Sequence, residues 1–205
     1  GWGYSVELLE RGPDARVTWS RWTLQSDRRE GDYRSQVGVL RRGRPLADRV
    51  VEIEYDAPRV VIRNTGLGLR ATAEVGADYI PEGRLEPLIA DVARTGEAVQ
   101  GTLAADAQRA VVPVVIEPEG RVSYRLNGRP VELTAVRLTW PSADAGAAAG
   151  RFLVDDGGSI AVQQLLDPQG HVVQTFERAS LKQVRLHYPR AHVLRNQVLE
   201  ATEEE

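Results

Sequence analysis

Three histidines, His171, His187 and His192, and a few paired acids are the residues here best suited by type to chemistry. Histidines converging with a carboxylate hold zinc, and Asp155, Asp156 or Asp167 could supply that carboxylate. The spacing argues against it. His171 follows the turn-like Asp167-Pro168-Gln169-Gly170, and His187 and His192 flank Pro189 with no helix to align them. Asp155-Asp156, and Glu52 with Glu54, match in type the carboxylate pair of a glycosidase. Yet Asp155-Asp156-Gly157-Gly158 is what a hairpin turn requires, and Glu52 and Glu54 alternate with Val51 and Ile53 as the wet side of a half-buried strand. The sequence contains no G-x-S-x-G elbow and no S-x-x-K. It contains no cysteine, which removes thiol nucleophiles, thiolate metal sites and disulfides. Gly66-Leu67-Gly68-Leu69-Arg70-Ala71 fits a loose G-x-G-x-x-A, but a dinucleotide site needs a helix after it. Leu69–Ala77 has no apolar 3.6-residue period, so a glycine-bearing bend between strands is expected there. No catalytic residue, metal or cofactor is assigned, and the chain is read as a non-enzyme.

The elements that would position a site are strands. From Gly120 to Tyr188 short strands alternate with turns: Arg121–Leu126, the Asn127-Gly128 turn, Pro130–Trp140, Arg151–Val154, the acidic-glycine turn, Ser159–Leu166, Asp167–Gly170, His171–Arg178 and Lys182–Tyr188. Strands joined so tightly pair antiparallel, because a parallel return needs a crossover of a dozen or more residues. Upstream, Trp2–Leu9, Arg16–Gln25, the strand around Tyr33–Val39 and Val50–Tyr55 carry the same period-two alternation, with turns at Gly12-Pro13-Asp14, Glu30-Gly31-Asp32 and Asp56-Ala57-Pro58. Arg41–Pro45 breaks the pattern. Ala98–Leu103 and Arg109–Glu117 also read as strands, and Pro113 marks the latter as an edge or bulged strand.

One segment reads as helix. Over about 84–95, Leu85, Leu88, Ile89 and Val92 recur at helical spacing, Gly96 is placed to end the helix, and Pro87 is tolerable in a first turn. The fold class expected is therefore mainly β: a curved antiparallel meander or half-open barrel with one short amphipathic helix. It is taken as a single β-rich domain over 1–205, with a flexible loop at about 142–150 and an acidic tail at 201–205.

A formal charge of −3 speaks against a nucleic-acid partner, which needs a basic surface. No apolar run reaches the length of a membrane span. The sequence lacks methionine and starts at Gly1, which fits removal of an upstream segment such as a signal peptide; an extracytoplasmic location, periplasmic or cell-surface/secreted, is expected. Trp2, Trp19, Trp22, Trp140, Phe152 and Phe176 all fall in strands with only one helix to cover them. A sheet of that kind fills a core with its aromatics or leaves an apolar concave face. The candidate ligand-binding residues are Trp19, Trp22, Leu85, Leu88, Ile89 and Trp140.

The cadence of Phe152-Leu153-Val154-Asp155-Asp156-Gly157-Gly158, Ile160-Ala161-Val162 and Asp167-Pro168-Gln169-Gly170-His171-Val172-Val173 resembles the late hairpins of extracytoplasmic bacterial proteins of the lipoprotein-carrier-like open-barrel superfamily. The resemblance spans roughly the last third of the chain and the order of elements. It implies a half-open antiparallel barrel, a helix plugging the concavity, and binding of acyl chains or lipidated partners. The function expected is non-enzymatic binding of an apolar or lipid-like ligand on a concave sheet face. The alternative is an assembly module that makes protein–protein contacts through its sheet edges.

Overall fold

The protein was analysed as a computed structural model, which describes residues 2–9, 16–23, 33–41, 44–65, 68–104, 111–140 and 149–178. Side chains are described from residue 50 onward within those ranges, Glu82 excepted. The fold class is the one expected: antiparallel β structure with one helix among the described residues. Contacts within the chain gather into two compact units, each built on a six-stranded sheet.

The first unit is a plain meander of β1 (Trp2–Leu9), β2 (Arg16–Thr23), β3 (Tyr33–Arg41), β4 (Arg44–Asp56), β5 (Arg59–Asn64) and β6 (Leu69–Glu74), each paired antiparallel with the next. The break expected at Arg41–Pro45 does not reach Arg44, where β4 already starts, pairing Arg44 with Arg41 and Pro45 with Leu40. Proline is accommodated because, among the described residues, β5 reaches only Val51–Asp56 and the start of β4 has no neighbour on that side. Along β4 and β5 the alternation expected from the sequence is realised. Val51, Ile53, Val60 and Ile62 are buried on one face, while Arg63 meets Glu52 at 3.7 Å and Glu54 at 2.5 Å on the other. The glycine-rich motif leads into β6, not a helix: Gly68 (φ 60°) donates its N–H to the Thr65 carbonyl, and Leu69 pairs with Asn64.

The second unit carries α1 (Glu82–Thr95) and the meander β7 (Val99–Ala104), β8 (Val111–Leu126), β9 (Arg129–Thr139), β10 (Ala149–Val154), β11 (Ile160–Leu166) and β12 (Val172–Glu177). The helix starts two residues before the expected position and ends at Gly96, in the left-handed conformation (φ 74°), whose N–H caps the Val92 carbonyl. Pro87 consequently lies in the second turn, not the first, and leaves the Gly83 carbonyl without its intrahelical donor. No helix among the described residues is long and apolar enough to cross a membrane.

Two strands expected separately, Arg109–Glu117 and Arg121–Leu126, are one long strand, β8, bent by a bulge between Pro118 and Gly120. One extra residue reverses the alternation. Val114 and Ile116 face α1, whereas Val122 and Tyr124, also even-numbered, pair with Leu133 and Val131 on the opposite face. Asn127 (φ 49°) and Gly128 (φ 80°) make the two-residue turn that the sequence announces. β10 begins at Ala149, so the last two residues of the alanine-rich segment are strand, buried beside β9 and β11. Lys182–Tyr188, His187, His192 and the acidic tail lie outside the described residues.

Candidate functional site

The second sheet is apolar on both faces, and α1 covers only one. Toward the helix, Val114, Ile116, Val136, Leu138, Phe152 and Val154 pack under Ile89 and Val92, which are 0% and 1% exposed. Leu85, Leu88 and Trp140, half-buried, pack against the same cluster. Four of the six candidate ligand residues, Leu85, Leu88, Ile89 and Trp140, are thus brought together between helix and sheet, in contact with side chains of this unit. The other two belong to β2 of the first unit, where Trp19 pairs in register with Val6 and Gly38, and Trp22 with Gly3 and Ser35; their side chains lie outside the described residues. The helix implied by the resemblance as a plug of the concavity packs, within this unit, on the face opposite the curl described next.

On that opposite face the sheet folds over itself. The tip of the β8–β9 hairpin runs past the end of β10 and meets the end of β12: Tyr124 Oη donates to Glu177 Oε1 at 2.7 Å, and Asn127 Nδ2 donates to the Arg178 carbonyl at 3.3 Å. In a flat sheet, four strand steps of about 4.8 Å would separate β8 from β12 by roughly 19 Å. The bonds therefore require a strong curl. Burial and the Glu177 carboxylate push the Tyr124 phenol up to about 12. Two ion pairs pin the surrounding turns, Arg121 to Asp156 and Arg178 to Asp155, both at 2.6 Å. Inside the curl lie Leu133, Ala135, Leu153, Ala161 and Val162, with Val122, Tyr124, Leu126 and Val131 against them.

The pairing register orders this face into rows. Ala135, Leu153 and Val162 are cross-strand partners on β9, β10 and β11, all at most 1% exposed. Two residues further along, the partners are Arg137, Arg151 and Gln164, followed by Thr139, Ala149 and Leu166. A polar row thus crosses an otherwise apolar face. Two arginines directly opposite each other repel, and one carboxylate serves both. Glu119, the extra residue of the β8 bulge, accepts from Arg151 Nε at 2.5 Å and lies 3.6 Å from Arg137 Nη1. Arg137 is the less satisfied of the two: its Nε is buried without a hydrogen-bond acceptor among the described residues. Gln164 is 8% exposed, and its Oε1 is buried without a donor among them. Buried groups left unpaired cost about 1–3 kcal/mol each, so they call for an explanation.

The sequence-level candidates for chemistry take structural roles. Asp155 Oδ1 accepts from the backbone N–H of Gly157 and Ser159, and Asp167 Oδ1 from those of Gln169 and His171, so both close the same kind of hairpin turn. The Ser159 N–H, against partial desolvation and with Arg178, holds the Asp155 carboxyl below its usual range. For Asp167, desolvation works the other way, and the backbone and ring of His171 outweigh it to lower the carboxyl. His171 is exposed and lies 3.1 Å from Asp167. The residues that sequence reasoning missed are Arg137, Arg151 and Gln164. A signal was present. Ala135 and Val136 are adjacent and both apolar, as are Leu153 and Val154, which means that both faces of these strands are covered.

Comparison with known proteins adds little to this geometry. The chain is similar to a solved structure described as a beta-barrel-like protein of domain of unknown function DUF1849 from Brucella abortus, with 14% sequence identity and a TM-score of 0.48 over 86% of this chain and 80% of that one. No protein-family model matches the chain, and no curated protein sequence matches it.

Proposed function

We propose that this is a non-enzymatic, extracytoplasmic binding protein that holds an apolar or lipid-like ligand, free or attached to a partner, within the curl of its second sheet. The observation that carries the reading is the face turned away from α1. Its apolar residues Leu133, Ala135, Leu153 and Val162 are at most 2% exposed beneath the β8–β9 hairpin, which Tyr124 and Glu177 clasp, so a ligand takes this face by displacing the hairpin. A concave apolar surface with a few placed polar groups is the usual character of a small-molecule site. The location rests on the resemblance of the late hairpins to lipoprotein-carrier-like proteins. Native mass spectrometry after mild purification, with titration of a lipophilic dye, tests the reading: a co-purifying ligand or saturable dye binding is expected. A ligand-free chain that also fails to bind the dye sinks it.

A second reading is an assembly module that pairs through a sheet edge. It is favoured by β12, the last strand of its sheet among the described residues, which carries exposed Val172 and Val173. Light scattering across a concentration series separates the two, because a monomer throughout disfavours self-assembly.

A further inference from the structure

We infer that the β8–β9 hairpin is a hinged lid: its arm, Arg121–Leu133, opens about the Gly120 bulge while the rest of the second unit stays folded. The opening is carried by the geometry of the hairpin; its use as the entrance to the curled face rests on the apolar-ligand reading. The arm is marked off by the pairing register. β10 meets β9 only from Thr134 to Thr139, so Arg129–Leu133, and Val122–Leu126 paired with them, project beyond the end of β10. The register shift between Pro118 and Gly120 falls at the root of this projection, and Gly120 there adopts φ 91°, which glycine tolerates and other residues rarely do. A two-stranded ribbon that bends at one bulge swings without breaking its own ladder.

What holds the arm down is weaker than what holds the sheet together. Its inner side chains, Val122, Tyr124, Leu126 and Val131, are only half-buried, whereas Ala135, Leu153 and Val162 in the same cluster are at most 1% exposed. Each bond from the arm to the end of β12 involves a side chain: Tyr124 Oη and the Asn127 N–H donate to Glu177, and Asn127 Nδ2 donates to the Arg178 carbonyl. At the root, the side chains of the Arg121–Asp156 pair are 51% and 80% exposed, and ion pairs so open to water contribute little. The seat that receives the arm is fixed independently of it. Asp155 closes its own turn through the Gly157 and Ser159 N–H groups, a Cβ on Gly158 of that turn would lie 3.8 Å from the Ala90 Cβ of α1, and the Arg178 N–H bonds the Ala161 carbonyl. The cluster under α1 lies on the other face of the sheet and is untouched when the arm lifts. Such a unit opens locally at a free energy below that of global unfolding.

Native-state hydrogen exchange of the full chain tests the lid, with Tyr124→Phe loosening the clasp and Ile89→Ala loosening only the helix side. In the wild type, protected amides between Val122 and Val131 are expected to exchange faster than those of β10 and β11. Tyr124→Phe should speed the arm amides about three- to tenfold, the loss of one hydrogen bond to an exposed carboxylate. Ile89→Ala should leave the arm amides unchanged while speeding those of β10 and β11. Asn127→Gly keeps the turn, loses the bond to the Arg178 carbonyl, and should act on the arm in the same direction as Tyr124→Phe. Arm amides that exchange in step with β10 and β11, in the wild type and in Ile89→Ala alike, overturn the lid. Titration with the dye N-phenyl-1-naphthylamine then tests the entrance. A ligand that needs the open arm binds more tightly as the open fraction grows, so Tyr124→Phe should bind the dye about three- to tenfold more tightly than the wild type. Equal or weaker binding by Tyr124→Phe overturns the entrance and leaves the lid. An arm that opens in a chain that binds no dye upholds the lid and overturns the apolar-ligand reading.

Discussion

Tyr124→Phe cuts the clasp of the curl and leaves the ring in place. The substitution removes the 2.7 Å hydrogen bond to Glu177 but keeps the packing against the apolar lining, and it leaves no buried donor behind. A hydrogen bond to a carboxylate contributes up to about 1.5–3 kcal/mol. Glu177 is exposed, so solvent screening brings the expected loss down to about 1 kcal/mol. In a chain of this length that corresponds to about 2–4 °C in Tm. The pH dependence gives a second readout. The Tyr124 phenol is raised from 10.0 to about 12, so its contribution is complete below pH 10 and is lost as pH climbs from 10 to 12. The wild type should therefore lose stability across that window more steeply than Tyr124→Phe. A double-mutant cycle with Glu177→Gln, read by urea unfolding, should return a coupling of about 0.5–1 kcal/mol. A coupling of zero, with identical alkaline limbs, would refute the contact between β8 and β12 and with it the curl.

Three further outcomes follow from the packing and the turns. Ile89→Ala opens a cavity between α1 and the sheet at a residue that is 0% exposed, and should lower the unfolding free energy by about 2–5 kcal/mol in urea. Gly101→Ala places a Cβ 2.6 Å from the Asp78 carbonyl oxygen and 2.7 Å from Ile80 Cδ1, and should cost about 1–3 kcal/mol by displacing the segment whose Ile80 N–H bonds Thr102; hydrogen exchange at Ile80 and Thr102 checks it. Asp155→Asn keeps a turn acceptor and loses the charge facing Arg178. Because the Asp155 carboxyl is depressed below 3.8, its contribution is present above that pH and disappears as pH falls through the lowered value, so the variant should show a flatter acid-unfolding limb below about pH 4.

The strand–turn rhythm from Arg121 to Arg178 was legible because its turns carry local chemistry. Asn127-Gly128, Asp155–Gly158 and Asp167–Gly170 specify backbone conformations that few other residues supply. The helix was legible from the spacing of Leu85, Leu88, Ile89 and Val92 and from its Gly96 cap. Neither the curl nor the polar row is local. The Tyr124–Glu177 bond joins residues far apart in the chain, and the row of Arg137, Arg151 and Gln164 exists only once three strands are in register. The β8 bulge hides it further, since one extra residue moves even-numbered side chains from the helix face to the curl. Glu119, Arg137 and Arg151 look in sequence like the mixed charges of a wet surface, and only the burial of their neighbours distinguishes them.

The central claim is that an acyl chain lies on the face of the second sheet turned away from α1. Paramagnetic relaxation by stearate spin-labelled near its methyl end, read on methyl resonances, addresses it directly. Broadening that is strongest at Leu133, Leu153 and Val162, with Ile89, Val136 and Val154 spared, is the predicted result. Broadening concentrated at Ile89, Val136 and Val154, or absent from both sets, would contradict it.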